Sequence, residues 1–168
     1  MLNFETQLST FTMANAFLDS KENEENGDFN QYWYSASTIA RIVEAMVATG
    51  GSIAFLSTPS LYFSLPDDLR AQAYVFDYDK KWEMDRGFVF YDFNAPEAVP
   101  AALHGTFDLV VVDPPFITHE VWEKYAVTAK LLMKRGTAVD GTPAGKVGHA
   151  PWHAFMRSLP LTTSPFTK

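Results

Sequence analysis

The chain has no cysteine, which excludes a disulfide framework and any zinc site built on thiolates. It is also poor in positive charge: 13 Lys and Arg stand against 20 Asp and Glu, for a formal net charge of −7. Holding nucleic acid by field takes clustered Lys and Arg that replace condensed counterions. Only the short pairs Lys80-Lys81 and Lys134-Arg135 occur here. Nucleic acid is therefore not expected as a partner, and a basic protein surface suits an acidic chain better. No run approaches the roughly 18 consecutive apolar residues of a membrane helix, so no membrane association is expected. The opening Met1-Leu2-Asn3-Phe4-Glu5 has no basic segment leading into an apolar one, so no secretory leader is expected. A soluble cytoplasmic protein is predicted. Metal-ligand spacing is missing too. Among His104, His119, His149 and His153, only His149 and His153 could share a helix face, and Pro151 lies between them. No metal is expected.

What is present is a globular composition. A chain of 168 residues, 47% hydrophobic and 20% charged, is long enough for one domain with a real core and too short for two. Aromatics make up 15%, with 14 Phe, 7 Tyr and 4 Trp. Such an excess serves a core or a pocket that grips a flat ligand.

Three regions follow from the pattern. Residues 1–30 hold a short helix over Leu8 to Leu18 and a polar, acidic linker from Ser20 to Asn30,. Residues 31–136 alternate apolar runs with helical stretches, which predicts an α/β fold with a parallel sheet. Ser35 or Ser37 caps a helix whose Ile39, Ile42, Val43, Met46 and Val47 share one face, and Gly50-Gly51 ends it,. Strands are predicted at Ile53–Leu56, Ala73–Phe76, Phe88–Tyr91 and Phe107–Val112. The last is nearly all apolar, as a strand buried on both faces should be. A helix follows from Thr118 to Arg135, stopped by Gly136. Residues 137–168 carry three glycines and four prolines and predict an irregular tail, with a short helix around His153 to Arg157.

The chemistry concentrates at strand ends, where open α/β sheets bind ligands. Asp113-Pro114-Pro115-Phe116 follows the fourth strand directly. Two prolines stiffen the loop and remove two N–H donors, which leaves Asp113 and the Pro114 carbonyl as acceptors for an amine. Phe116 can stack on a planar amine or face an ammonium. Such a site aligns a nitrogen lone pair for in-line attack on a methyl sulfonium. Asp77 and Asp79, after the second strand, are both in reach of ribose hydroxyls. Asp92 could accept an adenine amino group while Phe93 packs on the ring. Trp33, Tyr34 and Ser35, in the string Gln31-Tyr32-Trp33-Tyr34-Ser35, either clamp the linker to the core or wall a cofactor pocket. The Gly-x-Gly loop usual after a first strand is absent. Ser57-Thr58-Pro59-Ser60 stands in its place.

These blocks together resemble the eukaryotic elongation factor 1-alpha lysine methyltransferase family. The resembling strings are Gln31 to Ser35, Phe55 to Tyr62, Val75 to Lys80, Phe90 to Asn94 and Asp108 to Phe116, in the family's order. The resemblance covers about Leu8 to Gly136. It implies a Rossmann-like class I methyltransferase sheet of seven strands, with S-adenosylmethionine as methyl donor and translation elongation factor 1-alpha as protein substrate. Asp113, Pro114, Pro115 and Phe116 would carry the lysine amine. Ser57, Thr58, Pro59, Asp77 or Asp79, and Asp92 would hold the cofactor. The family's usual last aromatic is tyrosine, and Phe116 lacks that hydroxyl. The family continues into further strands that residues 137–168 do not resemble, so the sheet is read as truncated after the fourth strand and its helix. Two other readings remain: an N6-adenine nucleic-acid methyltransferase, and a truncated non-catalytic binding protein.

Overall fold

The structure is a computed structural model that describes residues 15–134. Its strands are β1 (Ile53–Leu56), β2 (Ala73–Asp77), β3 (Phe88–Phe90) and β4 (Leu109–Val112). All pair in parallel in the order β3-β2-β1-β4. Leu56 stands level with Phe76 on one side and Val112 on the other, and Asp77 is level with Phe90. The strand ends therefore line up along one edge, and β1 is the point where the chain order switches sides.

All four residues of β1 are buried, as its uniform apolarity requires. Fully burying a side chain such as Phe55 or Leu56 stabilises the fold by about 1.5–3 kcal/mol. One face of the sheet supplies Ala54, Leu56, Phe76 and Val110 to a core closed by helix α5 (His119–Leu132) through Val121, Tyr125 and Leu132. Toward the other face lies helix α2 (Ala36–Thr49), which buries Ile39, Ile42, Val43 and Met46. It packs on the short helix α3 (Pro59–Tyr62), whose Tyr62 meets Phe55 edge to face, centroids 5.9 Å apart.

Caps and turns set the boundaries. Ser35, rather than Ser37, caps α2 by accepting from the Thr38 N–H at 3.3 Å. Gly50 and Gly51 both take positive φ, and a Cβ on Gly51 would lie 2.5 Å from the Asp108 carboxylate. Thr118 caps α5, as its sequence position predicts.

Several boundaries differ from the sequence reading. Helix α5 stops at Leu132, before Arg135, because Met133 turns extended and bridges Phe107. Phe107 is thereby drawn out of β4, which starts two residues later than its apolar run. Asp108 and Leu109 both donate to the Ser52 carbonyl there. β2 runs one residue further, to Asp77, and β3 one residue less, to Phe90. Pro59, read as part of a turn, opens α3 because a helix's first turn needs no N–H from it,. A further helical turn, α4 (Asp67–Arg70), follows.

The linker is more ordered than its polarity predicts. After the turn α1 (Ala16–Asp19), capped by Asn15, come two 3-10 turns, Lys21–Asn23 and Gly27–Phe29, capped by Ser20 and Asn26. Most of the predicted first helix, the stop at Gly136, the irregular tail with its short helix, and His149 and His153 lie outside the described residues. Among the described residues no helix is long and apolar enough to cross a membrane.

Candidate active site

Four loops meet at the C-terminal edge of the sheet. They follow β1 (Ser57-Thr58), β2 (Tyr78-Asp79), β3 (Tyr91-Asp92-Phe93) and β4 (Asp113 to Phe116).

Ser57 takes the left-handed conformation, φ 55°, a region that glycine enters more easily. The chain thus makes without glycine the turn that a Gly-x-Gly loop would make. Ser57 is held from both sides. Its N–H donates to the Phe76 carbonyl at 2.9 Å, and its hydroxyl lies 2.6 Å from that of Tyr125. The next residue, Thr58, is buried, and its hydroxyl has no hydrogen-bond partner among the described residues. A buried polar atom without a partner is rare and costs about 1–3 kcal/mol. Its place beside the switch point fits a ligand that supplies the missing bond.

The two acids after β2 separate clearly. Asp77, the last residue of β2, is buried and accepts from the Asp79 N–H with one oxygen, at 2.9 Å. Burial pushes its carboxyl up to about 7, with the nearby Asp79 charge adding to the shift. Asp79 has both oxygens engaged. One caps the following turn at the Lys81 N–H (3.0 Å), and the other takes the Gln31 amide (3.2 Å) and the Lys81 ammonium (3.5 Å). Asp77, held by backbone N–H groups of Asp79 and Tyr78, has no side-chain hydrogen-bond partner among the described residues.

Asp92 accepts from the Asn94 N–H at 2.8 Å and shapes its own turn. Phe93 stacks on Tyr125, centroids 6.0 Å apart and planes at 27°, and meets Phe116 edge-on at 6.3 Å. Lys124 lies over the Phe93 ring, 5.5 Å from its centroid.

Asp113 is partly buried. Burial raises its carboxyl above the usual carboxylate range, and the Tyr34 hydroxyl, donating at 2.6 Å, opposes that rise. Pro114 is buried, and its carbonyl carries no hydrogen bond among the described residues. The Pro115 carbonyl accepts from the Asn30 side chain. Phe116 is half exposed beside Ile117, which is almost fully so.

The residues of the aromatic string go separate ways. Trp33 clamps. It packs edge-on against Phe17 at 5.3 Å, and its indole N–H donates to the Asn23 carbonyl at 2.7 Å. Tyr34 instead reaches the Asp113 carboxylate. Ser35 spends its hydroxyl on the α2 cap, and Pro59 is buried at the start of α3. Asn30 and Tyr125 were not among the sequence candidates, and Gln31 entered only as the first residue of the aromatic string. Tyr125 shares the inward stripe of α5 with Val121, Thr128 and Leu132, so helical periodicity marks it as core. Its polar tip was the available signal. Nothing local marks Asn30, or the reach of Gln31 to Asp79. Among the described residues no three His, Asp or Glu side chains gather as a metal site.

The chain matches the family model described as "Probable N6-adenine methyltransferase" over residues 25–165. It belongs to that family. The four-stranded parallel sheet with flanking helices is the α/β architecture of class I methyltransferases. Among curated proteins, the chain is 37% identical over 118 residues to EEF1A lysine methyltransferase 1 of Homo sapiens, covering 66% of this chain and 55% of that protein. A protein-lysine N-methyltransferase of Dictyostelium discoideum is 33% identical over 149 residues, covering 84% of this chain and 69% of its own. One from Saccharomyces cerevisiae is 31% identical over 121 residues, covering 66% and 49%. The human protein bears the name of the lysine methyltransferase family that the motifs resemble. The chain spans about half the length of the human and yeast relatives it matches. No solved structure matches it.

Proposed function

We propose that the protein is an S-adenosylmethionine-dependent protein-lysine N-methyltransferase whose substrate is translation elongation factor 1-alpha, and that it acts in the cytoplasm. The observation that carries the reading is the meeting of Thr58, Asp77 and Asp113 at adjacent strand ends. The names of the human, Dictyostelium and yeast relatives support lysine as the acceptor, and the human name supports the substrate. The acidic chain, net charge −7, favours a basic protein surface over nucleic acid.

The residues fit the cofactor. Asp77 offers a carboxylate oxygen to the ribose hydroxyls, Thr58 a hydroxyl without another partner, and Asp92 with Phe93 an acceptor and a ring for adenine. When bound, the cofactor supplies an electrophilic methyl group on a sulfonium sulfur. The chain's own part is to prepare the nitrogen. A lysine ammonium entering between Asp113 and Phe116 releases its proton to bulk water. Lost hydration lowers its pKa, the Asp113 charge opposes that, and the neutral amine is the form that attacks. Asp113 and the Pro114 carbonyl then accept its N–H groups and fix the lone pair, and alignment of this kind lowers the barrier.

Calorimetric titration of the chain with S-adenosylmethionine comes first, followed by transfer of labelled methyl to purified elongation factor 1-alpha. We expect saturable binding, and transfer that falls at least 100-fold in Asp113→Ala. Undiminished transfer in that variant would overturn the reading of Asp113. Labelling of an adenine-containing oligonucleotide instead of the protein would overturn the substrate class.

A further inference from the structure

The linker between the second 3-10 turn and α2 crosses the site edge and is fixed along its length. Asn30 takes a left-handed turn, φ 54°, with its N–H on the Gly27 carbonyl, and its side chain reaches the Pro115 carbonyl. Gln31 holds Asp79. Trp33 is buttressed by Phe17 and Trp82, and Ser35 closes the segment by capping α2. Tyr34 is therefore presented from an anchored backbone, 79 residues before the acid it touches.

Its contact with Asp113 is short. At 2.6 Å from Oδ2, it lies in the range of hydroxyls donating to ionised carboxylates. Burial and the Asp113 charge raise the phenol far above its ordinary range, so at neutral pH it can only be a neutral donor to that acid. Oδ1 of Asp113 receives no hydrogen bond among the described residues. One oxygen is taken and one is open.

We propose that Tyr34 is a positioning residue of the transfer reaction, fixing Oδ2 of Asp113 so that Oδ1 faces the incoming amine. This rests on the methyltransferase reading above. A carboxylate turns freely about a single bond, and a donor on one oxygen fixes the angle of its plane and so the place of the other oxygen. The same bond opposes the rise that burial imposes on the acid. Among the described residues, Asp113 interacts with two titratable groups, Tyr34 from the linker and Tyr125 from α5, and Tyr125 also feels Asp77. Tyr125 is itself held neutral, because burial raises it. Between pH 5 and 9 neither tyrosine changes charge. Asp77, which titrates at about 7, does so in both chains, so a difference in the Asp113 midpoint between them reports the Tyr34 bond.

Tyr34→Phe removes one oxygen and no ring carbon. We expect S-adenosylmethionine binding within twofold of the native chain, kcat down 10- to 100-fold with little change in KM for the protein substrate, and the acid limb of the pH–rate profile moved upward. The Asp113 carboxyl midpoint, read by carbon NMR in both chains, needs no activity and should rise in the variant. An unchanged midpoint, or an unchanged kcat with only stability lost, would overturn the proposal. A raised midpoint in a chain whose native form transfers no methyl would support the hold on Asp113 and count against the methyltransferase reading alone.

Discussion

The hydroxyl of Tyr125 lies 2.6 Å from that of Ser57, which ties helix α5 to the loop after β1. That loop takes a left-handed turn without glycine, so it relies on outside support. Tyr125→Phe keeps the ring stacked on Phe93 and loses only the bond. The expected cost is about 1 kcal/mol of stability, with S-adenosylmethionine affinity several-fold weaker. Urea unfolding beside calorimetric titration checks both. Full affinity in the variant would show that the loop holds its own shape.

Asp77 ties stability to pH. Its folded carboxyl sits at about 7, above its ordinary range, so the buried site prefers the protonated acid. Stability from this group is therefore full below about pH 4 and lost as pH rises to about 7. Asp77→Asn keeps the acceptor for the Asp79 N–H and cannot ionise. It should match the native chain near pH 4 and exceed it by a few kcal/mol, roughly, at pH 8. Denaturation at both pH values is the measurement, and equal stabilities at pH 8 would refute the buried charge.

The same acid predicts how the cofactor binds. Ribose hydroxyls donate to an ionised carboxylate, so S-adenosylmethionine affinity should rise with pH through about 7 and level off above. Binding below that midpoint should release close to one proton. Titration in buffers of different ionisation enthalpy reads the release directly. Asp79→Asn should keep a pH-dependent affinity but move its midpoint lower, because the Asp79 charge adds to the rise of the Asp77 carboxyl.

Gly51 tests the other end of the sheet. Its φ is +82°, and a Cβ would lie 2.5 Å from an Asp108 oxygen that also accepts from the Ser52 N–H at 2.9 Å and the Lys134 ammonium at 2.8 Å. The Lys134 and Ser52 bonds lower the Asp108 carboxyl to about 2, so the acid stays charged in ordinary buffers. Gly51→Ala should lose about 1–3 kcal/mol through backbone strain and the displaced carboxylate. Gly50→Ala meets no neighbouring atom, but its φ of 68° and ψ of −179° suit glycine alone. It should lose about 1–3 kcal/mol through backbone strain and none through a displaced carboxylate. Thermal unfolding of both variants gives the comparison.

The frame of the fold was legible because its signals are local. Ile53–Leu56 and the run before Asp113 are too apolar to be anything but buried strands, and alternation with helices forces them parallel. Once parallel, their ends share one edge, so Ser57, Asp77, Asp92 and Asp113 belong together before any coordinates are known. The ends of elements were less legible. Phe107 reads as strand, yet the turn of Met133 toward it draws it out of β4, and no pattern within the run encodes that partner.

The sequence by itself determined the sheet, the strand-end acids and the stiff Asp-Pro-Pro loop, since period, propensity and proline act within a few residues. The tertiary structure alone decided which of those groups are free to bind. It tied Asp79 to Gln31 across 48 residues and left Asp77 without a side-chain hydrogen-bond partner among the described residues. It set Tyr34 on Asp113 across 79 residues while its neighbour Trp33 turned to the core. Contacts at such separations depend on how packed elements converge. Hydrogen-bond capacity is spent where chains meet, and no local pattern records the meeting.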